Sequence, residues 1–210
     1  MPPTADSVIR TVEELREMLD QPNDAVRLKV GDQLDDHARD FIAEAPFLIL
    51  ATADAEGHTD ASPKGDAPGF VVVEDEHTLV LPDRPGNNLA FGLTNILENP
   101  HVGLLFLIPG TTETLRVNGR AELTRDPDLL ERLAARGKPA VLGIRVHVDE
   151  VFFHCAKAFI RSQIWKHEQW PPRKKVSFGA MLAPRIDPSG DPALVAMIDD
   201  YVAEDERTNL

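Results

Sequence analysis

The 210-residue sequence holds a single cysteine, Cys155. One thiol can form neither an intrachain disulfide nor a multi-cysteine zinc site. A chain so poor in cysteine suits a reducing compartment, and the expected location is the cytoplasm. Basic residues are also scarce: 22 Lys and Arg face 35 Asp and Glu, for a formal charge of −13. That balance argues against general nucleic-acid binding, which needs a basic surface to replace phosphate counterions, and against docking on anionic lipid. It leaves room for a small basic pocket and an anionic small ligand. Long hydrophobic runs are missing too. The longest, Phe47 to Ala51 and Leu104 to Ile108, fall far below the ~20 residues of a membrane span. The opening MPPTADSVIR has no apolar stretch behind a basic start, so no secretory signal is expected.

Standard catalytic signatures are likewise missing. The sequence contains no GxxxxGK[ST], no GxGxxG after a strand, no HExxH and no GxSxG. Its seven histidines are scattered. A metal site would need distant ones to converge, so none is expected. His154 and Cys155 are adjacent, but neighbours on a strand point to opposite faces, so they do not form a nucleophile–base pair. Cys155 reads as a small buried thiol.

What is present is ordinary globular composition, 42% apolar and 27% charged, with a length that fits one domain plus tails. Thr11 and Glu14 have capping-box spacing and predict a helix over 12–19. Leu34, Ala38, Phe41, Ile42 and Ala45 lie on one face of a second helix, which Pro46 ends. The period then changes. Phe47 to Ala53 predicts a buried strand, Asp54 to Gly57 a turn, and Phe70 to Val73 and Thr78 to Leu81 two short strands. Asn88 to Asn99 predicts a helix and Val102 to Ile108 a strand. From Leu115 to Leu123 the residues alternate, with Leu115, Val117, Gly119, Ala121 and Leu123 on one face and Arg116, Asn118, Arg120 and Glu122 on the other. Asp126-Pro127 opens a helix. Leu142, Ile144, Val146 and Val148 mark a further half-buried strand. Residues 167–190 read as an extended linker that leads to a last helix opened by Asp191-Pro192. Strands that follow one another with few helices between them favour an antiparallel barrel or sandwich.

Three segments carry chemical interest. Ser62-Pro63-Lys64-Gly65-Asp66 packs a hydroxyl, a cation and flexible backbone together. It reads either as an exposed turn or as a phosphate contact made by Lys64 and Ser62. Asp83-Arg84-Pro85-Gly86-Asn87-Asn88 precedes a predicted helix, whose free N–H groups attract anions. Arg84 adds a guanidinium fork, and Asn87 or Asn88 can serve as the helix cap. In the third segment, Lys157, Arg161 and Trp165 fall at i, i+4 and i+8, one face of a helix. They read either as a stripe for a planar anionic ligand or as surface cations beside a core indole.

The order of elements, together with SPKGD, DRPGNN, NPHVGLLF, LRVNGRAEL and HCAKAFIRSQIW, resembles the pyridoxamine 5′-phosphate oxidase-like, FMN-binding split-barrel proteins. It is most similar to their branch described as predicted flavin-nucleotide-binding proteins. The resemblance covers about residues 35–170. It implies a mainly β fold with flanking helices, a six-stranded antiparallel split barrel, and a homodimer with FMN in clefts at the subunit interface. It implies an N-terminal helical extension over 1–33, the FMN-binding domain over 34–170, and a C-terminal linker and helix over 171–210. The implied cofactor contacts are Ser62, Pro63, Lys64 and Gly65 on one strand, Arg84, Asn87 and Asn88 at the phosphate, Thr114 near the ring, and Lys157, Arg161, Ser162 and Trp165. No catalytic residue and no metal is implied. True vitamin B6 oxidases end in a Trp-Gly segment followed by Arg-x-His. This chain ends in the acidic stretch Asp199 to Leu210, which implies an FMN-dependent oxidoreductase with a different substrate. The alternative is a protein of the same fold that binds or senses flavin or haem without turnover.

Overall fold

The computed structural model describes residues 7–209. The first six residues and Leu210 lie outside the described residues, as do the start of the expected 1–33 extension and the expected leaderless N-terminus. Helix α1 (Val12–Met18) starts where predicted: Thr11 accepts from the Glu14 N–H, and the Glu14 carboxylate accepts from the Arg10 N–H. A short α2 (Asp24–Leu28), capped by Asn23, follows and had no strong periodic signal. Helix α3 (Asp36–Glu44) is capped by Asp35 and buries Ala38 and Ile42. Phe41 beside them meets Phe153 edge-on at 5.4 Å.

Seven strands form one sheet in the order β2-β1-β5-β6-β7-β4-β3, and every neighbouring pair is antiparallel. They are β1 (Phe47–Ala53), β2 (Thr59–Gly65), β3 (Val72–Val73), β4 (Thr78–Asp83), β5 (His101–Leu107), β6 (Thr114–Thr124) and β7 (Leu142–His154). The expected architecture is therefore present, mainly antiparallel β with flanking helices. The count is seven rather than six because the two-residue β3 pairs with β4. Only Val72 and Val73 of the predicted 70–73 strand join the ladder. Strand β1 is one-sided rather than fully buried: Leu48, Leu50 and Thr52 face the core, while Phe47 and Ala51 are exposed. The alternation along β6 holds across a bulge at Asn118/Gly119.

Val80, Leu129, Leu133 and Ala140 form a small buried cluster of their own, and a much larger one makes up most of the core. Leu48, Leu50, Leu79, Leu81, Leu104, Phe106, Leu115, Val117, Ile144 and Val146 form it with Leu34 and Ile42. These side chains are fully or almost fully removed from water, at about 1.5–3 kcal/mol each for the largest. Helices α4 (Phe91–Glu98) and α5 (Pro127–Arg132) flank the sheet, with Asp126 capping α5 and proline at its first position. Gly31 exchanges two backbone hydrogen bonds with Val151, so the N-terminal segment occupies the edge of β7 beyond the end of β4.

The C-terminal segment departs from the expected linker. After α6 (Lys157–Ser162) and a single 3-10 turn at His167–Gln169, residues 178–186 form α7 (Phe178–Ile186), which packs on α8 (Pro192–Thr208). Asp199 of α8 accepts from Ser177 Oγ at 2.6 Å and from the Gly179 N–H at 2.8 Å, closing the start of α7. Those bonds, the Ser177 one first, hold the Asp199 carboxyl below the usual carboxylate range. Gly179 is required by proximity, because a Cβ there would stand 2.1 Å from the Val195 carbonyl oxygen. Among the described residues no helix is long and apolar enough to cross a membrane.

Candidate functional site

The segment 62–65 is a strand, not a turn. It forms the second half of β2, an edge strand in register with β1, with Ser62 opposite Leu50, Pro63 opposite Ile49 and Lys64 opposite Leu48. Proline is tolerated there because an edge strand need not donate on its open side. Along β2 the exposure alternates, and Asp60, Ser62 and Lys64 share the less exposed face. That face meets the loop after β4 and the start of α4 in a cavity of about 430 Å3. Ser62, Pro63, Lys64, Arg84, Asn87 and Asn88 all line it. Gly65 lies just beyond, in an adjoining trough of about 230 Å3 that it shares with Pro63, Lys64 and Arg84.

The predicted helix starts later than expected, at Phe91 rather than Asn88. Asn88 and Ala90 both sit in the left-handed region, at φ 59° and 53°. Neither asparagine caps the helix. Asn87 Oδ1 instead accepts from the Leu89 N–H at 3.0 Å, and Ala90, the residue at the cap position, has no side-chain oxygen to offer. The first N–H groups of α4 therefore lack a side-chain acceptor while Phe91, Gly92 and Leu93 line the cavity. Uncapped N–H groups with the positive end of a helix dipole fit an anion.

The two cations arrive already paired. Lys64 Nζ donates to Asp83 Oδ1 at 2.5 Å, and Arg84 Nε donates to Asp66 Oδ2 at 3.0 Å. The Arg84 bond uses Nε and leaves both terminal amino groups without a protein partner among the described residues. An ammonium has three donors, so Lys64 also keeps donors beyond Asp83. The Ser62 hydroxyl differs from expectation: its proton goes to Asp60 Oδ2 at 2.6 Å, so it faces the cavity as an acceptor. Asp60, Asp66 and Asp83 are the site residues that the sequence reading missed. Asp60 shares a face with Ser62 once β2 is a strand, while Asp66 and Asp83 pair with cations 18 and 19 residues away, which no local signal marks.

The remaining expected contacts do not line this cavity. Thr114 is buried at the start of β6, paired in register with His154. The helix that would align Lys157, Arg161 and Trp165 stops early, because Gln163 takes a left-handed φ of 54°. Lys157 and Arg161 stay exposed on α6, and Ser162 Oγ donates to the Phe159 carbonyl. Trp165 turns back instead, stacking on Phe159 at 5.8 Å and donating from Nε1 to the Thr111 carbonyl at 2.7 Å. Cys155 is exposed rather than buried, since it follows the last residue of β7. Beside it, His154 Nε2 is buried without a hydrogen-bond partner. Burial, then the charges of Arg116 and Lys29, push this imidazole below the usual histidine range. Both cations also stand over the Phe152 ring.

The profile of the pyridoxamine 5′-phosphate oxidase family matches residues 34–155, which include both halves of the cavity. No curated protein sequence matches the chain. Among solved structures, Group A Streptococcus HupZ is similar at 20% identity, TM-score 0.46, over 57% of this chain and 92% of its own. A proposed pyridoxamine 5′-phosphate oxidase of Lactobacillus delbrueckii is similar at 26% identity, TM-score 0.45, over 58% and 95%. An FMN-binding protein of Syntrophomonas wolfei is similar at 9% identity, TM-score 0.43, over 69% and 97%.

Proposed function

The chain belongs to the pyridoxamine 5′-phosphate oxidase family, and from that premise we propose that it binds FMN and acts as a flavin-dependent oxidoreductase on a substrate other than pyridoxamine phosphate. One observation carries the reading: a single cavity of about 430 Å3 joins Lys64, Arg84 and an uncapped helix N-terminus. That volume lies in the range of cofactor sites. Arg84 would hold the phosphate with its two open amino groups, Lys64 with a point charge, and the first turn of α4 with backbone N–H groups. Asp66 and Asp83 keep the two cations in place. Ser62 and Asp60 present acceptors to the hydroxyls of the sugar chain, and Asn87 and Asn88 flank the phosphate. Leu50, Val141 and Leu142 give the cavity an apolar wall. When bound, the flavin ring supplies hydride or electron transfer.

The apolar outer residues of β1, Phe47 and Ala51, support a homodimer. In that dimer, Lys157, Arg161, Ser162 and Trp165 would complete the cleft of the other copy. Residues 34–170 then form the cofactor domain, 1–33 the N-terminal extension and 171–210 the C-terminal helical arm. The test is a visible spectrum of protein purified without added cofactor, repeated after FMN addition and desalting. Retained flavin bands that bleach with NADH or NADPH and recover with an acceptor are expected. Protein that stays colourless after FMN and desalting would overturn the reading. Flavin that stays bound but never turns over would leave a binding or sensing role.

A further inference from the structure

A second cavity of about 310 Å3 opens on the far side of Arg84. Arg84, Arg132 and Arg136 line it, and the one carboxylate on its wall is Asp66, already bound to Arg84. Three guanidinium groups around one hollow are unexpected in a chain of charge −13. Arg132 is steadied by Glu74, which accepts from its Nη2 at 3.3 Å. Arg136 has no ion pair or hydrogen bond among the described residues.

The placement of Arg136 has a backbone cost. Ala135 and Lys138 exchange two hydrogen bonds of 2.9 Å across a two-residue turn. Both central residues, Arg136 at φ 52° and Gly137 at 75°, are left-handed. Asn-Gly is the ordinary pair for such a turn, and a long side chain in the first position is strained by about 1 kcal/mol. Arginine stands where asparagine would fold more easily, and its side chain lines the cavity. A strained residue of this kind points to function.

The two cavities adjoin at Arg84. Arg84 lines both, and the trough between them shares Lys64 and Pro63 with the first and Phe70 with the second. We propose that the arginine cavity is a second anion subsite, filled by the anionic group of a flavin nucleotide extended through its phosphate. This rests on the flavin reading of the first cavity: a terminal phosphate at Arg84 ends there, whereas a phosphate that bears a further anionic group continues toward Arg132 and Arg136. The same chemistry would suit a separate phosphorylated ligand, and the experiment separates the two sources.

The experiment compares FMN with FAD, which carries an adenylate on the same phosphate, on the full chain and on an R132Q/R136N variant. Asn at 136 relieves the turn, so the variant is expected to fold. Wild type should bind FAD at least as tightly as FMN. The variant should lose about tenfold in FAD affinity and keep FMN affinity within twofold. Equal FMN and FAD losses, or none, overturn the proposal. Pyrophosphate alone is titrated in parallel, read as a shift in Tm. If neither flavin binds, the first-cavity reading fails, and a pyrophosphate-dependent rise in Tm lost in the variant still supports the subsite for a separate ligand. No such rise overturns it.

Discussion

Arg84→Met isolates the cation on which the phosphate reading turns. Methionine keeps most of the aliphatic stem and removes the guanidinium. A charge-assisted hydrogen bond is worth about 1.5–3 kcal/mol. Arg84 is 26% exposed and shares its charge with Asp66, which places its contribution to a bound phosphate near the low end, about 2 kcal/mol. At 1.4 kcal/mol per tenfold, FMN affinity should fall about 30-fold. The same change strands Asp66, whose side chain is 9% exposed, so stability should fall as well. An unpaired group of that burial costs about 1–3 kcal/mol, or roughly 4–8 °C in Tm for a loss of about 2. Adding Asp66→Asn separates the effects. It removes the stranded charge and keeps an oxygen for the Ala67 N–H that Asp66 Oδ1 now binds. The double variant should recover most of its Tm and none of its FMN affinity. Fluorescence titration and thermal melts read both quantities. A folded Arg84→Met protein that binds FMN within twofold of wild type would refute the argument.

Two further outcomes follow from features away from the cleft. His154 has a lowered folded pKa, so between that value and the unfolded value of about 6.5 the unfolded chain binds a proton that the folded chain refuses. Its contribution is nil above about pH 6.5 and becomes destabilising as pH falls through it. His154→Gln should therefore lose less Tm than wild type between about pH 7.5 and pH 5.5, and parallel melting profiles would contradict the assignment. Gly179→Ala would set a Cβ 2.1 Å from the Val195 oxygen and 2.8 Å from its carbonyl carbon, both backbone atoms that cannot rotate away. Amide exchange should quicken across α7 and α8 while β5 and β6 stay protected. Unchanged protection of α7 would mean that the helices adjust without parting.

The elements legible in the sequence were those whose signal is local. Caps at Thr11, Asp126 and Asp191 and the alternation from Leu115 to Leu123 each rest on a few adjacent residues, and each appears in place. Other features depend on distant partners. Ser62 to Gly65 reads as a turn from its Ser, Pro and Gly, and becomes a strand only because β1 offers a continuous ladder. The Lys157–Trp165 stripe fails because a single left-handed residue, Gln163, stops the helix, and nothing in its neighbours announces that. Helix α7 was hidden for a related reason. Its stability comes from Asp199 and Val195, some twenty residues away, while Pro184 within it reads as a breaker. In the cleft, the cations were visible as cations. Their pairing with Asp66 and Asp83 was not, because those contacts span 18 and 19 residues.

Pro63 bears on how the molecule behaves in company. Strand β2 is an outer strand with one side of its backbone unpaired, a template on which any extended chain could add itself. A nitrogen without hydrogen in the middle of that strand breaks the row of donors that such addition needs. Lys64 next to it adds a charge that a stacked strand would have to bury. The residues that shape the wall of the cleft thus also guard the protein against self-association along this edge. Replacing them to alter ligand choice would expose the sheet to aggregation as well.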